Sequence, residues 1–297
     1  MAPLPRPKIA GVTVTLPGVG VTVLTSDGER LAGWHVPPPR GRDAYGVGVL
    51  VAPGFTGSLG RPDVQAVARG LAARAGVLLL TPRGHPGSTG VSTLGDREAL
   101  DVDGGVAALR ALGYARVVTC GWSMGGSAVV RHAGLAGSRV HGALLAHPPD
   151  AVVAVSTTSR WWATETRSMR RLHWLVETMP GRLVSRRLGV RVDRAGWEPA
   201  DLPVPPGEAA RRVRVPMLIV HGDADAYFPV DHPHALVAAA GEGAELWLLP
   251  GFGHAENAAA RDPAVLERIS AHLPVLLAAA AAAAAPPLAP VPAPVTA

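Results

Sequence analysis

The sequence predicts an α/β domain: a doubly wound, mostly parallel sheet with one helical insertion. Three observations predict it. Short apolar runs recur without the polar alternation of a half-exposed strand, the pattern of strands buried on both faces. Segments with helical spacing separate these runs, as right-handed crossover units require. Residues 151–200 then break the rhythm in both pattern and composition.

Taken in order, residues 21–36 alternate apolar and polar around Ser26-Asp27-Gly28-Glu29, where Asp-Gly suits the positive φ of a tight hairpin. An antiparallel pair therefore opens the domain. Strands are expected at 47–52, 77–80, 115–120 and 140–146, with helices near 63–75, 96–112 and 123–136 between and after them. Two further strands, 215–220 and 244–249, flank a helix near 232–240, and a last helix covers 262–277. Between them, residues 151–200 hold nine of the 27 arginines and four of the seven tryptophans, and no convincing strand. Their formal charge of +5 equals that of the whole chain. Met169, Leu172, Leu175, Val176 and Met179 fall at helical spacing, and Pro180-Gly181 is expected to end that helix. The expected organisation is an N-terminal extension (1–10), a core (11–150 and 201–277), a helical cap (151–200) and an Ala/Pro-rich tail (278–297).

Composition narrows the function classes. With 48% hydrophobic and 17% charged residues, 35 Gly and 29 Pro, the chain is globular and loop-rich, which excludes coiled coil and collagen. Cys120 is the single cysteine, so neither a disulfide framework nor a cysteine zinc site can form, and a cytoplasmic location is expected. A net charge of +5, with Lys8 the one lysine, gives no footprint for nucleic acid. The uncharged run 9–25 imitates a signal peptide, but its β-branched residues and Pro17, Gly18 and Gly20 favour paired strands. From residue 273 onward the chain is uncharged yet studded with proline, so no integral membrane segment is expected. His232 and His234 have only Asp231 close by, which argues against a metal site. None of these features expresses an oligomeric state.

The sharpest chemical signal is Gly121-Trp122-Ser123-Met124-Gly125 where an expected buried strand turns into a helix. Such a turn is strained, and glycines two residues either side let the backbones pass. It leaves Ser123 at a helix N-terminus, where the Met124 N–H and the helix dipole favour an oxyanion. A serine hydroxyl also needs a base oriented by a third group. Two other strand ends offer them: His221-Gly222-Asp223-Ala224-Asp225 and Pro250-Gly251-Phe252-Gly253-His254.

With Ser, Asp and His in this chain order, residues 20–275 resemble the α/β-hydrolase superfamily. The resemblance implies an α/β-hydrolase sheet with a cap inserted over the nucleophile. It makes Ser123 the nucleophile, His254 the base and Asp225 the orienting acid, with Asp223 the main rival and Asp150 a weaker one. Gly222, Asp225, Phe228 and Pro229 match the superfamily's Gly-x-x-Asp loop and the pair that follows it. The second oxyanion donor falls on Phe55, in Pro53-Gly54-Phe55, where the family's usual His is Pro53. Thr81-Pro82-Arg83-Gly84-His85 keeps only part of another family motif and is read as structural. On a helix, the adjacent Trp161 and Trp162 would point about 100° apart, so one of them should meet the substrate pocket or solvent. The expected activity is hydrolysis of a small-molecule acyl substrate, a carboxylic ester, without cofactor or metal. Thioester or peptide cleavage are alternatives, as is an inactive binding module using the basic, Trp-rich cap as a partner or membrane-surface patch. An N-terminal peptidase would want acids in the cap, and this cap is basic.

Overall fold

Alternate residues of each apolar run face opposite ways, and helices cover both faces. The computed structural model describes residues 8–9, 12–38, 46–193 and 202–284. Its main sheet holds β1 (Val19–Leu24), β2 (Arg30–Val36), β3 (Val47–Ala52), β4 (Gly76–Leu80), β5 (Arg116–Trp122), β6 (Ala151–Val155), β7 (Met217–Gly222) and β8 (Ala244–Leu249). The spatial order is β8-β7-β6-β5-β3-β4-β2-β1; β3 to β8 run parallel, and β2 and β1 are antiparallel at one edge. Val49, Val51, Val118 and Val153 pack beneath α1 (Pro62–Leu71) and α9 (Pro263–Ala284). Leu50, Leu78, Val152 and Ala154 pack on the other face against α2 (Glu98–Ala111), α3 (Met124–Gly134) and α7 (Asp231–Ala240). The remaining helices are α4 (Arg167–Glu177), α5 (Met179–Arg187), α6 (Pro206–Ala210) and α8 (Ala255–Arg261). Because the central strands are parallel, the loops after β3, β5, β7 and β8 gather at one edge, where open α/β sheets bind ligands.

The opening hairpin forms as the sequence indicates, with Gly28 at φ 90° in its turn. The Arg83 loop is structural as read: Arg83 is buried, its Nε 2.7 Å from Asp101 and its Nη1 2.7 Å from Asp27.

Several expectations are corrected. The sixth sheet strand is Ala151–Val155, inside the stretch read as strandless, whereas 140–146 supplies only a small separate hairpin, Arg139–Val140 with Ala143–Leu144. Gly142 at φ 82° and His141 at φ 47° turn that hairpin, and Leu144 is exposed. All five residues of Ala151–Val155 are buried, as a place between β5 and β7 demands. Pro180 does not close a helix but opens α5: Thr178 ends α4 and caps α5, its hydroxyl accepting from the Gly181 N–H at 3.1 Å. Proline is tolerated in a first helical turn, where its missing N–H has no intrahelical role. Trp161 and Trp162 lie on an irregular segment before α4, not on a helix. Finally, α9 passes through Pro274 and takes in seven residues of the expected tail, since alanine is the strongest helix former. The helix is long and apolar enough to cross a bilayer by length and composition, and 39% of its most apolar window is buried in the fold. Residues 1–7 and 10 of the expected extension, 194–200 of the expected cap and 285–297 of the expected tail lie outside the described residues.

The last buried contact of α9 is Leu276, with Leu277 half-buried beside it, and Ala278 and Ala279 are exposed. A chain ending at Ala278 is therefore expected to unfold within about 2 °C of the full chain, since surface deletions rarely exceed a few tenths of a kcal/mol. Calorimetric Tm values for the two chains check it; a loss of more than about 5 °C would mean that the tail packs.

Candidate active site

The chain leaves β5 through Ser123, whose φ of 51° and ψ of −114° lie outside the ordinary regions for an L-residue. Three glycines make this turn possible. A Cβ on Gly121 would sit 2.2 Å from the Gly125 carbonyl oxygen, and one on Gly125 would sit 2.0 Å from that of Ala52. One on Gly126, which the sequence reading had not singled out, would meet the Thr157 hydroxyl at 1.8 Å. The Ser123 N–H donates to the Val155 carbonyl at 2.9 Å, tying the turn to the end of β6. Met124 is the first residue of α3, so its N–H has no acceptor within the helix.

The loop after β3 passes directly above Ser123. A Cβ on Gly54 would come within 3.2 Å of the Ser123 Cβ. The Gly54 N–H donates to Glu256 Oε1 at 2.6 Å, and Phe55, the next residue, lines the cleft at Ser123. Glu256, two residues beyond His254 in a helix that also carries Asn257 and Arg261, is a neighbour of the site that sequence reasoning missed. Its carboxyl is buried, and burial raises its pKa while the Gly54 N–H pulls the other way.

The loops after β7 and β8 lie against each other, since a Cβ on Gly222 would sit 1.8 Å from the Phe252 carbonyl oxygen. Their two aspartates do different things. Asp223 Oδ1 accepts the Gly251 N–H at 2.7 Å and so ties loop to loop. The Asp225 side chain is fully buried; its Oδ1 accepts the N–H groups of Tyr227 at 2.8 Å and Phe228 at 3.1 Å, and its Oδ2 lies 2.8 Å from His254 Nδ1. Burial pushes the Asp225 pKa up, but the His254 hydrogen bond and charge, with the two backbone donors, outweigh it and hold the group below the usual carboxylate range. An ionised carboxylate only accepts, so His254 Nδ1 carries the proton and Nε2 is free to accept from the Ser123 hydroxyl, 2.9 Å away. Tyr227 stacks on the His254 ring at 4.2 Å, and Phe228 meets its edge at 5.6 Å. His221, also missed, is buried with its pKa pushed down and donates from Nε2 to the Phe228 carbonyl at 2.9 Å.

Asp150 is nowhere near this group. With the sixth strand at Ala151–Val155, Asp150 precedes rather than follows it, and binds Arg110, Arg116 and the Val117 N–H at the opposite edge of the sheet.

Two cavities meet at Ser123. The larger, about 990 Å³, is an open cleft lined by His254, Phe55 and Tyr227, and by Arg171, Leu172 and Trp174 from α4. The smaller, about 60 Å³, is mostly apolar, lined by Met124, Leu94, Val176 and both Trp161 and Trp162. His254 lines only the first. Trp161 is fixed by an Nε1–H bond to the Pro203 carbonyl at 2.6 Å, and Trp162, at φ 60°, stacks on His173 at 5.6 Å. Both indoles thus reach the pocket from an irregular segment whose backbone aims them.

Residues 49–269 match the family model described as the alpha/beta hydrolase family. Among solved structures, the esterase Pf2001 of Pyrococcus furiosus aligns at a TM-score of 0.67 and 17% identity, over 92% of this chain and 98% of its own. Ferulic acid-bound Est1E of Butyrivibrio proteoclasticus aligns at 0.59 and 18%, over 87% and 100%. XC6422 of Xanthomonas campestris, described as a serine hydrolase without lid, aligns at 0.56 and 17%, over 88% and 94%. At such identities these structures speak to the fold. No curated protein matches the chain. The family model spans the sheet from β3 through β8 and the first seven residues of α9, and the chain belongs to the alpha/beta hydrolase family.

Proposed function

We propose that the protein is a serine hydrolase that cleaves carboxylic esters of short acyl groups. The observation that carries the reading is the unbroken hydrogen-bonded chain from Asp225 through His254 to Ser123 at the junction of two cavities. Ser123 Oγ attacks the ester carbonyl carbon as His254 Nε2 takes its proton, and the N–H groups of Phe55 and Met124 receive the oxyanion. On collapse the carbon–alkoxide bond breaks and His254 returns the proton to the leaving oxygen; water then repeats the sequence and frees the acid. The leaving oxygen must face His254, so the alcohol takes the large cleft and the acyl group the small apolar pocket. That pocket suits an acyl group of a few carbons, since one water needs roughly 10–15 Å³ by a comparable measure. The names of the esterases with similar folds agree with ester chemistry. The test is labelling by a fluorophosphonate together with kcat/KM over straight-chain esters; absence of both labelling and turnover would leave a binding module.

The tryptophans set the expected acyl cut-off. Trp162→Ala removes an indole from the pocket wall, so kcat/KM for long acyl esters should rise relative to acetate by about tenfold or more, the effect of one or two added methylenes. Trp161→Ala should do the same with lower stability, because it also removes the bond to Pro203 and the ring under the Arg131 guanidinium, 5.6 Å away. An unchanged chain-length profile in both variants would make these residues packing groups.

A further inference from the structure

The cap turns an unusual surface to solvent. α5 buries only Gly181 and Ser185, four residues apart, and leaves Met179 and Leu183, four residues apart on another face, each more than half exposed. Trp174 of α4 is half exposed beside them in the cap. Isolated exposed apolar residues are ordinary, but three large ones on two packed helices mark a contact surface. What surrounds it is basic. Arg167, Arg170 and Arg171 with Trp174 line an open cavity of about 300 Å³, and Arg182, Arg186 and Arg187 lie along α5. Few acids answer them: Glu165 pairs with Arg160, and Glu177 with His173. Arg170 and Arg182 also donate to nearby carbonyls, whereas Arg167, Arg171, Arg186 and Arg187 have no ion pair among the described residues. Three of the arginines stand in the first five residues of α4, at the positive end of its dipole, which an anion would offset.

We propose that the cap docks on an anionic lipid surface. A phosphate headgroup sits in the cavity of Arg167, Arg170 and Arg171, whose guanidinium groups suit phosphate oxygens. Met179 and Leu183 enter the acyl boundary, and Trp174 lies at headgroup depth, as amphipathic interfacial helices arrange such residues. The occupant follows from charge complementarity joined to an apolar crest: a soluble anion would use the arginines and leave the crest in water. Arg171 and Trp174 line both this cavity and the cleft that opens on Ser123, so the docked face adjoins the substrate entrance.

Binding is read by co-sedimentation of the full chain with phosphatidylcholine vesicles, with or without about 30 mol% phosphatidylglycerol, a charge density at which each surface arginine contributes roughly a fivefold factor. The anionic vesicles should be bound at least tenfold more tightly, and the preference should collapse between about 0.1 and 1 M salt. Arg167→Gln with Arg171→Gln should remove most of the preference, and Leu183→Ser with Met179→Ser should weaken binding to both vesicles. Brominated lipids should quench tryptophan fluorescence in the wild type and less in Trp174→Phe. All altered side chains are exposed, and an unchanged Tm confirms that each variant folds. Equal affinity for the two vesicles overturns the proposal, and so does binding that survives either pair of substitutions. Displacement by millimolar inorganic phosphate, with the Leu183→Ser pair without effect, would identify a soluble-anion site instead. The assay needs no turnover, so it stands or falls separately from the ester-hydrolase reading.

Discussion

Ser123→Ala is expected to lower ester kcat/KM by about four powers of ten or more, because removal of a nucleophile leaves only oxyanion stabilisation and binding. The fold should survive. Ser123 already occupies φ 51°, and alanine asks nothing new of that backbone; the one side-chain bond lost is the 2.9 Å contact to His254. A Tm within about 2 °C of wild type is therefore expected, set against the several degrees that follow a loss of 1 kcal/mol. Fluorophosphonate labelling should vanish with turnover, since the same oxygen attacks both reagents. A stable variant that keeps even a tenth of wild-type turnover would mean another group attacks the carbonyl, and the reading built on Ser123 would fail.

What the sequence made legible depends on how local the physics is. The Gly121 to Gly125 turn could be read because its steric demand falls on residues two positions from Ser123, and the structure puts the clashing atoms there. The edge at which Ser123, Asp225 and His254 meet was legible from strand ends in a parallel sheet, given the order in which they occur. The sixth strand was not. Its five buried residues stand beside arginine- and tryptophan-rich chain, and the shift in composition hid a strand defined by its neighbours β5 and β7. Pro180 misled for a similar reason, since proline stops one helix as readily as it starts another and only the Thr178 hydroxyl bond decides which. Glu256 was invisible because its partner, the Gly54 N–H, lies 202 residues away in sequence.

The two aspartates of the β7 loop give the second large effect, and the geometry predicts opposite outcomes for near-identical substitutions. In Asp225→Asn the amide must choose an orientation. Oδ1 accepts two backbone N–H groups, from Tyr227 and Phe228, so the amide oxygen belongs there and the NH2 falls at the Oδ2 position, the nearer of the two to His254 Nδ1, 2.8 Å against 3.0 Å for Oδ1. A donor at that nearer point favours Nδ1 as the acceptor, which moves the ring proton to Nε2, and Nε2–H cannot take the proton of Ser123. We expect kcat to fall by about three to four powers of ten, as for loss of the orienting acid in Ser-His-Asp enzymes. Asp223→Asn keeps an oxygen for the Gly251 N–H and touches neither ring nor serine, so its loss should stay below about tenfold. Stability gives an independent check. The Asp225 pKa is lowered in the folded state, so its ionised form contributes stability that is fully present above the unfolded value, near 3.9, and is lost as pH falls through the depressed folded value. Asp225→Asn lacks that contribution, and the difference in unfolding free energy between wild type and variant should narrow once the pH drops below about 4. Denaturant titrations at neutral and acid pH, beside kcat for both variants, decide the assignment. A larger loss of kcat in Asp223→Asn would move the orienting role to Asp223, and a stability difference indifferent to pH would mean that Asp225 titrates as a free carboxylate.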